Sequence, residues 1–555
     1  MFRLLLFILF LCSTTPICAQ GNPIGVVSSA HPLASQAGAE ILKNGGNAFD
    51  AAIAVSSTLS VVEPFGSGLG GGGFFLIYDA ASDRYSMIDA RERAPLNSTA
   101  DMYLDNLGNP IPRLSIDGAL AAGIPGLPAG LAFLNGNYGT MSFEETLEFA
   151  FKTAQDGFIV DERLQDRVYS QWERFNDEAK NIFSSPNDEP IAAGEILVQE
   201  DLARSISMIS ESHARDFYEG ILSITLLEAT QAMGGIWTAE DLMDYEIIER
   251  EPLIESFFGH NIISVPPPSS GGIALFQMLS MLNQLDYFSL NSTDQIHVLI
   301  ESMRRAYRDR AQYLGDSDYV DVPMEMLLSE RHTNESLNDF DMNRASNSEP
   351  MMFDEADFQE GMDTTHFSII DQFGNIVSAT QSINYNFGSG VVASGTGIFL
   401  NNEMDDFSIK PGYPNLYGLV GSEANAIAPG KRMLSSMTPT IITSEEDVMA
   451  IGTPGGSRII TMVMLAILDW IENKSVEQSV NHLRIHHQYL PDMLQIEPGA
   501  INSDAIYDLM ERGHEIEELE NNFGNMYAAA KKYQENSYSG AADFRGVGSV
   551  LIVYD

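Results

Sequence analysis

Strands and helices alternate on both sides of one acidic, weakly periodic segment, and this arrangement limits the folds open to the chain. The segment runs from residue 316 to residue 362 and is rich in Asp, Glu and Asn. Such a composition is typical of an exposed loop, so the segment is the best candidate for a boundary within the chain. Because both flanking parts contain helices and strands, the pattern predicts one composite α/β (α+β) domain rather than two independent domains.

The part before the boundary begins with two predicted helices. They cover residues 28–64 and are separated by Gly45 and Gly46, which suit the end of a helix. A glycine-rich turn, FGSGLGGGG, then leads into the strand FFLIYD. Residues 140–250 are predicted to be mostly helical, and the strand HNIISV is followed by the helix IALFQMLSMLNQL.

The part after the boundary opens with a predicted β-hairpin. Its strands are HFSIID and IVSATQSI, joined by the turn QFGN. Further strands are expected at GIFLNN, TPTIIT, DVMAIG and GSVLIVYD. Helices are expected at RIITMVMLAILDWIEN and at SVEQSVNHLRIHHQY, the second covering residues 475–489.

Composition indicates a globular protein with a strongly acidic surface. The chain has 555 residues, 44% of them hydrophobic, and a formal net charge of −47 from 77 acidic and 30 basic residues. Such a surface repels nucleic acids and anionic membranes, so neither is an expected partner.

The first 19 residues are typical of a secretory signal peptide. Arg3 precedes an apolar run that ends at Cys12, and small residues lie near Ala19. The run is too short to span a membrane, so we expect export to the periplasm or the medium without a stable membrane anchor. Both cysteines, Cys12 and Cys18, lie inside this segment. The exported chain would therefore have no disulfide, thiol nucleophile or cysteine-bound zinc.

Several familiar motifs are weak or absent. The G-x-G-x-x-G pattern within GSGLGGGG precedes a strand instead of linking a strand to a helix, which disfavours a dinucleotide site. His486 and His487 are adjacent, so their side chains diverge, and no acidic partner completes a metal site. There is no G-x-S-x-G nucleophile elbow.

The residue pair Thr364 and Thr365, at the start of the hairpin, allows two interpretations. A threonine hydroxyl becomes a useful nucleophile when a base lies beside it, and a free α-amino group can be that base. A break between Asp363 and Thr364 would supply this amine, and the exposed segment upstream suits such a cut. From these residues alone, ordinary strand-entry threonines remain the favoured interpretation.

A wider set of motifs points to a family. DTTHFSIID, NNEMDDFS, KRMLSSMTPTII and GTPGGSRI follow one another within about a hundred residues, and AEILKNGGNAFDAAIAV, IDARERAP, DGFIVDERL and VPPPSSGGI precede them. Together they resemble the γ-glutamyltransferases (γ-glutamyltranspeptidases) over essentially the whole chain after the signal. The resemblance implies the αββα four-layer sandwich of an N-terminal nucleophile hydrolase, built jointly by two processed segments.

The resemblance also implies self-cleavage of a single precursor between Asp363 and Thr364. The products would be a large subunit, residues 20–363, and a small catalytic subunit, residues 364–555, which together form one composite domain, residues 20–555. Thr364 would be the nucleophile and the new N-terminus, and Thr365 would support it from behind.

Further catalytic residues follow from the same resemblance. Gly455 and Gly456 match the oxyanion hole, whose donors are backbone N–H groups. Ser382 stands where relatives often have a second threonine that contacts the nucleophile, and it keeps the hydroxyl. No metal and no organic cofactor are expected.

The substrate pocket implied by the resemblance recognises the α-carboxylate and the α-ammonium of a γ-glutamyl group. Its members are Arg91, Ser435 and Ser436 for the carboxylate, Asn384, Glu403 and Asp406 for the ammonium, and Tyr417 as an aromatic cover on a lid loop. The role of Asp405 stays open, and Arg93 is expected to form a surface ion pair.

The implied substrates are glutathione and other γ-glutamyl compounds, with water or the amine of an amino acid or peptide as acceptor. One alternative is a related acylase that cleaves glutaryl-cephalosporins; a glutaryl group lacks the α-amino group, so Glu403 and Asp406 favour glutamyl. The other alternative is a binding protein that keeps the fold but never matures.

Overall fold

The computed structural model describes residues 21–348 and 363–555. The expected signal peptide, residues 1–19, and the last part of the acidic segment, residues 349–362, lie outside the described residues. No helix in the described ranges is long and apolar enough to cross a membrane.

The strands are numbered in chain order. They are β1 Pro23–Ser29, β2 Gly72–Asp79, β3 Arg84–Ala90, β4 Phe158–Ile159, β5 Ile196–Leu197, β6 Ile248–Arg250, β7 Leu253–Phe257, β8 His260–Ser264, β9 Thr365–Asp371, β10 Ile376–Ser382, β11 Val392–Ala393, β12 Ile398–Phe399, β13 Thr440–Thr443, β14 Asp447–Gly452, β15 Ile485–His486, β16 Leu494–Ile496, β17 Ile516–Glu518, β18 Tyr527–Lys532, β19 Ser537–Ala542 and β20 Ser549–Tyr554.

The α-helices are numbered in the same way. They are α1 Pro32–Lys43, α2 Ala48–Val62, α3 Leu127–Tyr138, α4 Phe143–Asp156, α5 Glu162–Gln171, α6 Asp177–Ile182, α7 Glu200–Ser212, α8 Arg215–Glu219, α9 Ile221–Ala232, α10 Ala239–Met243, α11 Gly271–Gln284, α12 Ser292–Tyr313, α13 Met324–Leu327, α14 Glu330–Ser336, α15 Ile459–Ile471, α16 Val476–Val480 and α17 Ser503–Glu511. Short 3-10 turns cover Ala119–Ala121, Trp172–Arg174, Tyr287–Ser289, Glu403–Asp406, Glu423–Asn425 and Gly456–Arg458.

Two antiparallel sheets form the centre of the molecule. The first has the strand order β20-β1-β9-β10-β2-β3-β6, and the second has the order β19-β18-β14-β13-β8-β7. They pack face to face, and hydroxyls of the first sheet reach the second: Ser368 donates to the carbonyl of Tyr527, and Ser378 donates to the carbonyl of Ile451.

A layer of helices covers the outer face of each sheet. Helices α1, α2 and α3 lie on the first sheet, where buried α2 shares an apolar cluster with Phe75 and Phe367, and α4 packs on α2. Helices α11 and α15 lie on the second sheet, and α12 packs on α11. Consecutive residues of β2, such as Phe74 and Phe75, join different apolar clusters because side chains of a strand alternate between its faces. The predicted αββα sandwich is confirmed.

Strands from before and after residue 363 share both sheets. In the first sheet β1 pairs with β9 on one side and β20 on the other, and β2 pairs with β10. In the second sheet β8 pairs with β13. Each part of the chain therefore supplies hydrogen-bond partners that the other part needs.

Two local predictions differ from the structure. The helix expected over residues 475–489 ends at Val480, because Ile485 and His486 pair with β16 instead. Within the expected loop after residue 316, α13 and α14 form short helices, and the Ser329 side chain caps α14 by accepting from the His332 N–H. In contrast, the predicted helices α1, α2 and α11 and the β9–β10 hairpin are confirmed.

Candidate active site

Thr365 begins the central strand β9 and faces away from the pocket described below. Its Oγ1 donates to the Glu63 carboxylate, 2.8 Å away, at the end of α2. Glu63 in turn pairs with Arg163 at 3.0 Å. Burial raises the pKa of Glu63. Thr365 is thus tied to the helical layer, an arrangement that suits support of its neighbour.

Thr364 has a strained backbone. Its φ is +90°, a region that β-branched residues rarely adopt, at a cost of about 1–3 kcal/mol. Its Oγ1 lies 3.1 Å from Oγ of Ser382, the last residue of β10. The Ser382 oxygen also accepts from the N–H of Asn384 at 2.8 Å. The serine hydroxyl therefore sits in a fixed position beside the Thr364 hydroxyl.

A backbone N–H donates to the carbonyl oxygen of the residue that precedes Thr364. The N–H of Gly455 donates to the carbonyl oxygen of Asp363 at 3.3 Å. Gly455 and Gly456 have φ values of +137° and +54°, which favour glycine. A Cβ on Gly456 would lie 2.8 Å from the Tyr417 ring. This turn after β14 can thus donate a backbone N–H to an oxygen on the carbonyl carbon that precedes Thr364.

One pocket collects most of the residues expected from the sequence. It is lined by Arg91, Thr364, Ser382, Asn384, Glu403, Asp406, Tyr417, Leu419, Ser435, Ser436, Met437, Gly456 and Ile459. The expected residues Asp363, Thr365 and Gly455 lie outside this lining. The apolar wall of Leu419, Met437 and Ile459 was missed by sequence reasoning, because single apolar residues carry no distinctive signal.

Arg91 is held between two carboxylates. Its two terminal nitrogens lie 2.6 Å from Glu403 Oε2 and 2.6 Å from Asp406 Oδ2. Burial alone would lower the pKa of Arg91, but these carboxylates raise it above its ordinary value. Burial raises the pKa of Glu403 even though Arg91 opposes this shift. The pocket therefore contains a cation and its counter-charges in contact, next to Thr364.

The two serines of the LSSM motif are fixed by neighbouring groups. Ser435 Oγ accepts from the N–H of Met437 at 3.1 Å, and Ser436 Oγ accepts from Arg310 at 3.2 Å. Arg310 comes from the long helix α12 and is buried, and burial lowers its pKa. It was missed from the sequence, because no motif surrounds it.

Tyr417 covers the pocket. Its hydroxyl donates to the carbonyl of Asn384 at 3.1 Å, and Gln488 donates to the Tyr417 carbonyl at 3.1 Å. Asn384 adopts a left-handed φ of +70°, which asparagine tolerates, and its side chain donates to the carbonyl of Asn402.

The structure separates the adjacent acids Asp405 and Asp406. Asp405 accepts from the Ser115 hydroxyl at 2.6 Å and from the N–H of Leu416 at 2.9 Å, so it anchors the loop that carries Tyr417. Burial raises the pKa of Asp405 to about 6. Asp406 lines the pocket instead.

Arg93 differs from its expected surface ion pair. Its guanidinium lies over the ring of Tyr245 and donates to the carbonyl of Asp241, because the extended side chain packs along the protein instead of reaching solvent.

Two helical layers around two antiparallel sheets, with a strained threonine at the head of the central strand β9, define the N-terminal nucleophile hydrolase class. Within that class, the family model "Gamma-glutamyltranspeptidase" matches residues 34–553, and the chain belongs to this family.

Individual relatives agree with this assignment. The glutathione hydrolase proenzyme of Escherichia coli is 41% identical over 498 residues, covering 89% of this chain and 86% of that protein. The crystal structure of a cephalosporin acylase from Bacillus halodurans is 26% identical with a TM-score of 0.83 and covers 98% of this chain and 99% of its own. The γ-glutamyltranspeptidase of Helicobacter pylori is 38% identical with a TM-score of 0.54 and covers 56% of this chain and 89% of its own.

Proposed function

We propose that this protein is a self-processing γ-glutamyltransferase that hydrolyses glutathione and related γ-glutamyl compounds. One observation carries the proposal: the buried Arg91 and Glu403 and the partly exposed Asp406 form a group of opposite charges in the pocket that Thr364 and Ser382 also line. A γ-glutamyl group presents a carboxylate and an ammonium on one carbon, and recognition of both requires a cation and anions close together.

Maturation would cut the chain between Asp363 and Thr364, leaving segments 20–363 and 364–555. The Thr364 hydroxyl attacks the Asp363 carbonyl carbon, the C–N bond breaks, and its nitrogen leaves as a free amine. Water then hydrolyses the resulting ester. The Gly455 N–H on the Asp363 carbonyl and the strained φ of Thr364 support this route, because the first polarises the bond and the second is relieved by the cut.

Catalysis by the mature protein would use the same groups again. The new α-amine of Thr364, with an ordinary pKa near 8, is partly neutral at neutral pH and can take the hydroxyl proton. The hydroxyl attacks the γ-carbonyl, and the N–H groups of Gly455 and Gly456 stabilise the oxyanion. The amine product leaves with a proton, and water or an acceptor amine resolves the acyl-enzyme. No step needs a metal or an organic cofactor.

Substrate binding would rearrange the charges of the pocket without adding net charge. The α-carboxylate meets Arg91, Ser435 and Ser436, and the α-ammonium meets Glu403, Asp406 and Asn384. Both Arg91 contacts to carboxylates are short, so the substrate inserts into an existing ion-pair group and need not assemble one. Tyr417 then limits access of water to the acyl-enzyme.

A glutaryl-type acylase is the second candidate, favoured by the close structural similarity to a cephalosporin acylase. Its substrate has no ammonium, so Glu403 and Asp406 would gain no partner from it. A non-maturing binding protein is disfavoured by the intact set of Thr364, Ser382 and the two glycines.

The deciding experiment compares hydrolysis of γ-glutamyl and glutaryl anilides by the purified protein. We expect kcat/KM to favour the γ-glutamyl anilide by at least about 100-fold, since sites built to bind a polar group reject analogues that lack it. The matched variant Asp406→Asn keeps the side-chain shape and should reduce this preference. A preference for the glutaryl compound would replace the proposal with the acylase.

Export is proposed from residues 1–19, and the protein is expected to bind neither nucleic acid nor membranes stably. Mass spectrometry of protein recovered outside the cytoplasm would give its first residue. Residue 20 at the N-terminus is the expected result, and an intact Met1 would contradict it.

A further inference from the structure

Two segments of the chain are joined where the LSSM motif meets the Arg91 pocket. The N–H of Ser435 donates to the carbonyl of Pro268 at 2.8 Å. The carbonyl of Ser435 accepts from both the N–H and the hydroxyl of Ser270, each at 2.8 Å. Ser270 directly precedes α11. The backbone of Ser435 is therefore fixed by three hydrogen bonds to the segment that leads into this helix.

Arg310 reaches the same junction from α12, which packs on α11. Its Nε donates to Ser270 Oγ at 3.0 Å, and one of its terminal nitrogens donates to Ser436 Oγ at 3.2 Å. One guanidinium thus contacts both the residue that anchors Ser435 and the hydroxyl of Ser436. Only 6% of Arg310 is exposed, so the surrounding protein holds it in this position.

Arg310 lies outside the wall of the Arg91 pocket. It does not line that pocket, but it lines a second small cavity, and Asp406 and Leu419 line both. A ligand in the Arg91 pocket can contact Ser436, which lines it, without touching Arg310. Any effect of Arg310 on such a ligand therefore passes through another residue.

The contact with Arg310 determines where the hydroxyl hydrogen of Ser436 can point. A serine hydroxyl has one hydrogen to donate, whereas a guanidinium can only donate. The Ser436 oxygen accepts from Arg310, so its own hydrogen points elsewhere, and no residue that the structure describes accepts it. Because Ser436 lines the pocket, this hydrogen is available to an acceptor there. Ser435 is in the same state, since its Oγ accepts from the N–H of Met437.

The charge of Arg310 is costly to the fold. Arg310 forms no ion pair with residues 21–348 or 363–555, and burial lowers its pKa although Tyr307 and Asp406 oppose this shift. Replacement of a buried ionic group by an apolar side chain of similar volume is often neutral or stabilising. A cation retained at such a place indicates a role that stability alone does not require.

We propose that Arg310 is a positioning residue for substrate recognition: it holds Ser436 so that the hydroxyl hydrogen of this serine binds the α-carboxylate of the γ-glutamyl group. This inference rests on the proposed function. Arg91 would supply the charge that meets the carboxylate, and Arg310 would set the direction of the neutral donor beside it. Through Ser270, Arg310 also fixes the backbone that carries Ser435.

The first test needs no change at Arg310. It compares Ser436→Ala with the wild-type protein on two donors, a γ-glutamyl anilide and the same anilide with its α-carboxylate replaced by a carboxamide. Loss of a hydrogen bond to a charged group should lower kcat/KM for the carboxylate donor by about 10- to 100-fold. The carboxamide donor should lose no more than about threefold. Equal losses would overturn the proposal, because Arg310 is inferred to act through this hydroxyl.

The second test is Arg310→Met, which keeps a long side chain but removes the donors. We expect self-cleavage to proceed, KM for the γ-glutamyl anilide to rise by about 10-fold, and kcat to stay within about twofold. Arg310→Lys, which can still donate to Ser436, should recover part of the loss. The matched control is Arg308→Met on the same helix, at a partly exposed arginine that pairs with Asp309 at 3.4 Å, and it should leave KM unchanged.

The double variant of Arg310→Met and Ser436→Ala separates positioning from a merely structural role. If Arg310 acts through the Ser436 hydroxyl, the double variant should lose no more in kcat/KM than the more damaged single variant. The midpoint of thermal unfolding of Arg310→Met should be no lower than that of the wild-type protein. Losses that multiply, together with a lowered midpoint, would make Arg310 a structural residue and end the inference.

The outcomes also distinguish this inference from the proposed function. An unchanged KM in Arg310→Met, in a protein that hydrolyses the γ-glutamyl anilide normally, ends the inference alone. A wild-type protein that hydrolyses no γ-glutamyl anilide ends the proposed function itself. If Arg310→Met does not fold, the comparison of donors in Ser436→Ala still decides whether the inference stands.

Discussion

On the Arg91 side of Thr364, a guanidinium contacts two carboxylates at 2.6 Å each, whereas on the other side the buried Asp363 carboxyl forms no ion pair with the residues that the structure describes. Paired charges keep their geometry when the site is empty, so the first region is preorganised. The second region holds Asp363, the residue before the proposed cut. Under the proposed function the two sides of Thr364 would therefore differ: the first would bind the amino-acid part of the substrate, and the second would change when the chain is cut.

Removal of the nucleophile should have the largest effect, because both sides depend on it. Thr364→Ala is expected to abolish self-cleavage and to lower γ-glutamyl hydrolysis by at least about 1,000-fold. A denaturing gel and an anilide assay measure these effects. Thr364→Ser, which keeps a hydroxyl, is the control and should still yield two bands. Two normal bands from Thr364→Ala would remove Thr364 from its role.

Arg91→Gln should act on the preorganised side alone. It removes the charge that meets the substrate carboxylate, so KM for γ-glutamyl donors should rise by about 100-fold, while the Gly455 and Ser382 contacts that support self-cleavage remain. Because it leaves Glu403 and Asp406 unpaired in a buried site, the midpoint of thermal unfolding should also fall.

Steady-state kinetics and a gel of the processed protein check this pair of results. Arg91→Lys is the matched variant. One ammonium cannot reproduce a guanidinium fork that contacts two carboxylates, so the KM of this variant should lie between those of the wild-type protein and Arg91→Gln. An unchanged KM in Arg91→Gln would assign the substrate carboxylate to another residue.

The buried carboxyl of Asp363, on the unpaired side, should make the stability of the folded chain depend on pH. In a Thr364→Ala background that stays uncut, the raised pKa of Asp363 means that the folded chain binds a proton more tightly than the unfolded chain. Ionisation of Asp363 should therefore lower stability as pH rises from about 4 to about 7, with no further loss above that range.

Adding Asp363→Asn removes this titration. The double variant should match Thr364→Ala near pH 4 and unfold a few degrees higher near pH 8, as measured by thermal scans of both proteins. Other titrating groups cancel in the difference. A difference that does not change with pH would show that the Asp363 carboxyl is as well solvated or paired as those around Arg91.

Tyr417→Phe should give the smallest effect. It removes one neutral hydrogen bond to the Asn384 carbonyl but leaves the ring over the pocket, so we expect a change of about two- to tenfold in KM for γ-glutamyl donors. Asp405→Asn, which weakens the anchor of the same loop, should change KM in the same direction. Unchanged kinetics in both variants would show that the cover is held by other contacts.

The sequence predicted the paired side far better than the unpaired one. Arg91, Glu403 and Asp406 stand within motifs whose ordered set resembles a known family, and the structure brings them into one pocket. Asp405 could not be separated from Asp406 by pattern, because only the backbone turn determines which carboxylate faces the loop and which faces the pocket.

Residues that helices bring toward Thr364 could not be predicted from the sequence for another reason. Arg310 lies on α12, far along the chain from Thr364, and sequence spacing carries no information about such contacts. The helix predicted over residues 475–489 was wrong for the same reason, since pairing with β16, which the sequence did not indicate, overrode the local helical preference after Val480.

The position of β1 between β9 and β20 has a consequence for assembly. After a cut at residue 363, two strands of one segment would hold a strand of the other between them, so the segments cannot separate unless the central sheet comes apart. The precursor can refold as a single molecule, at a rate independent of concentration. Refolding of the cut protein would need two chains to associate again. The lifetime of its folded state would therefore depend on its unfolding rate rather than on its ability to refold.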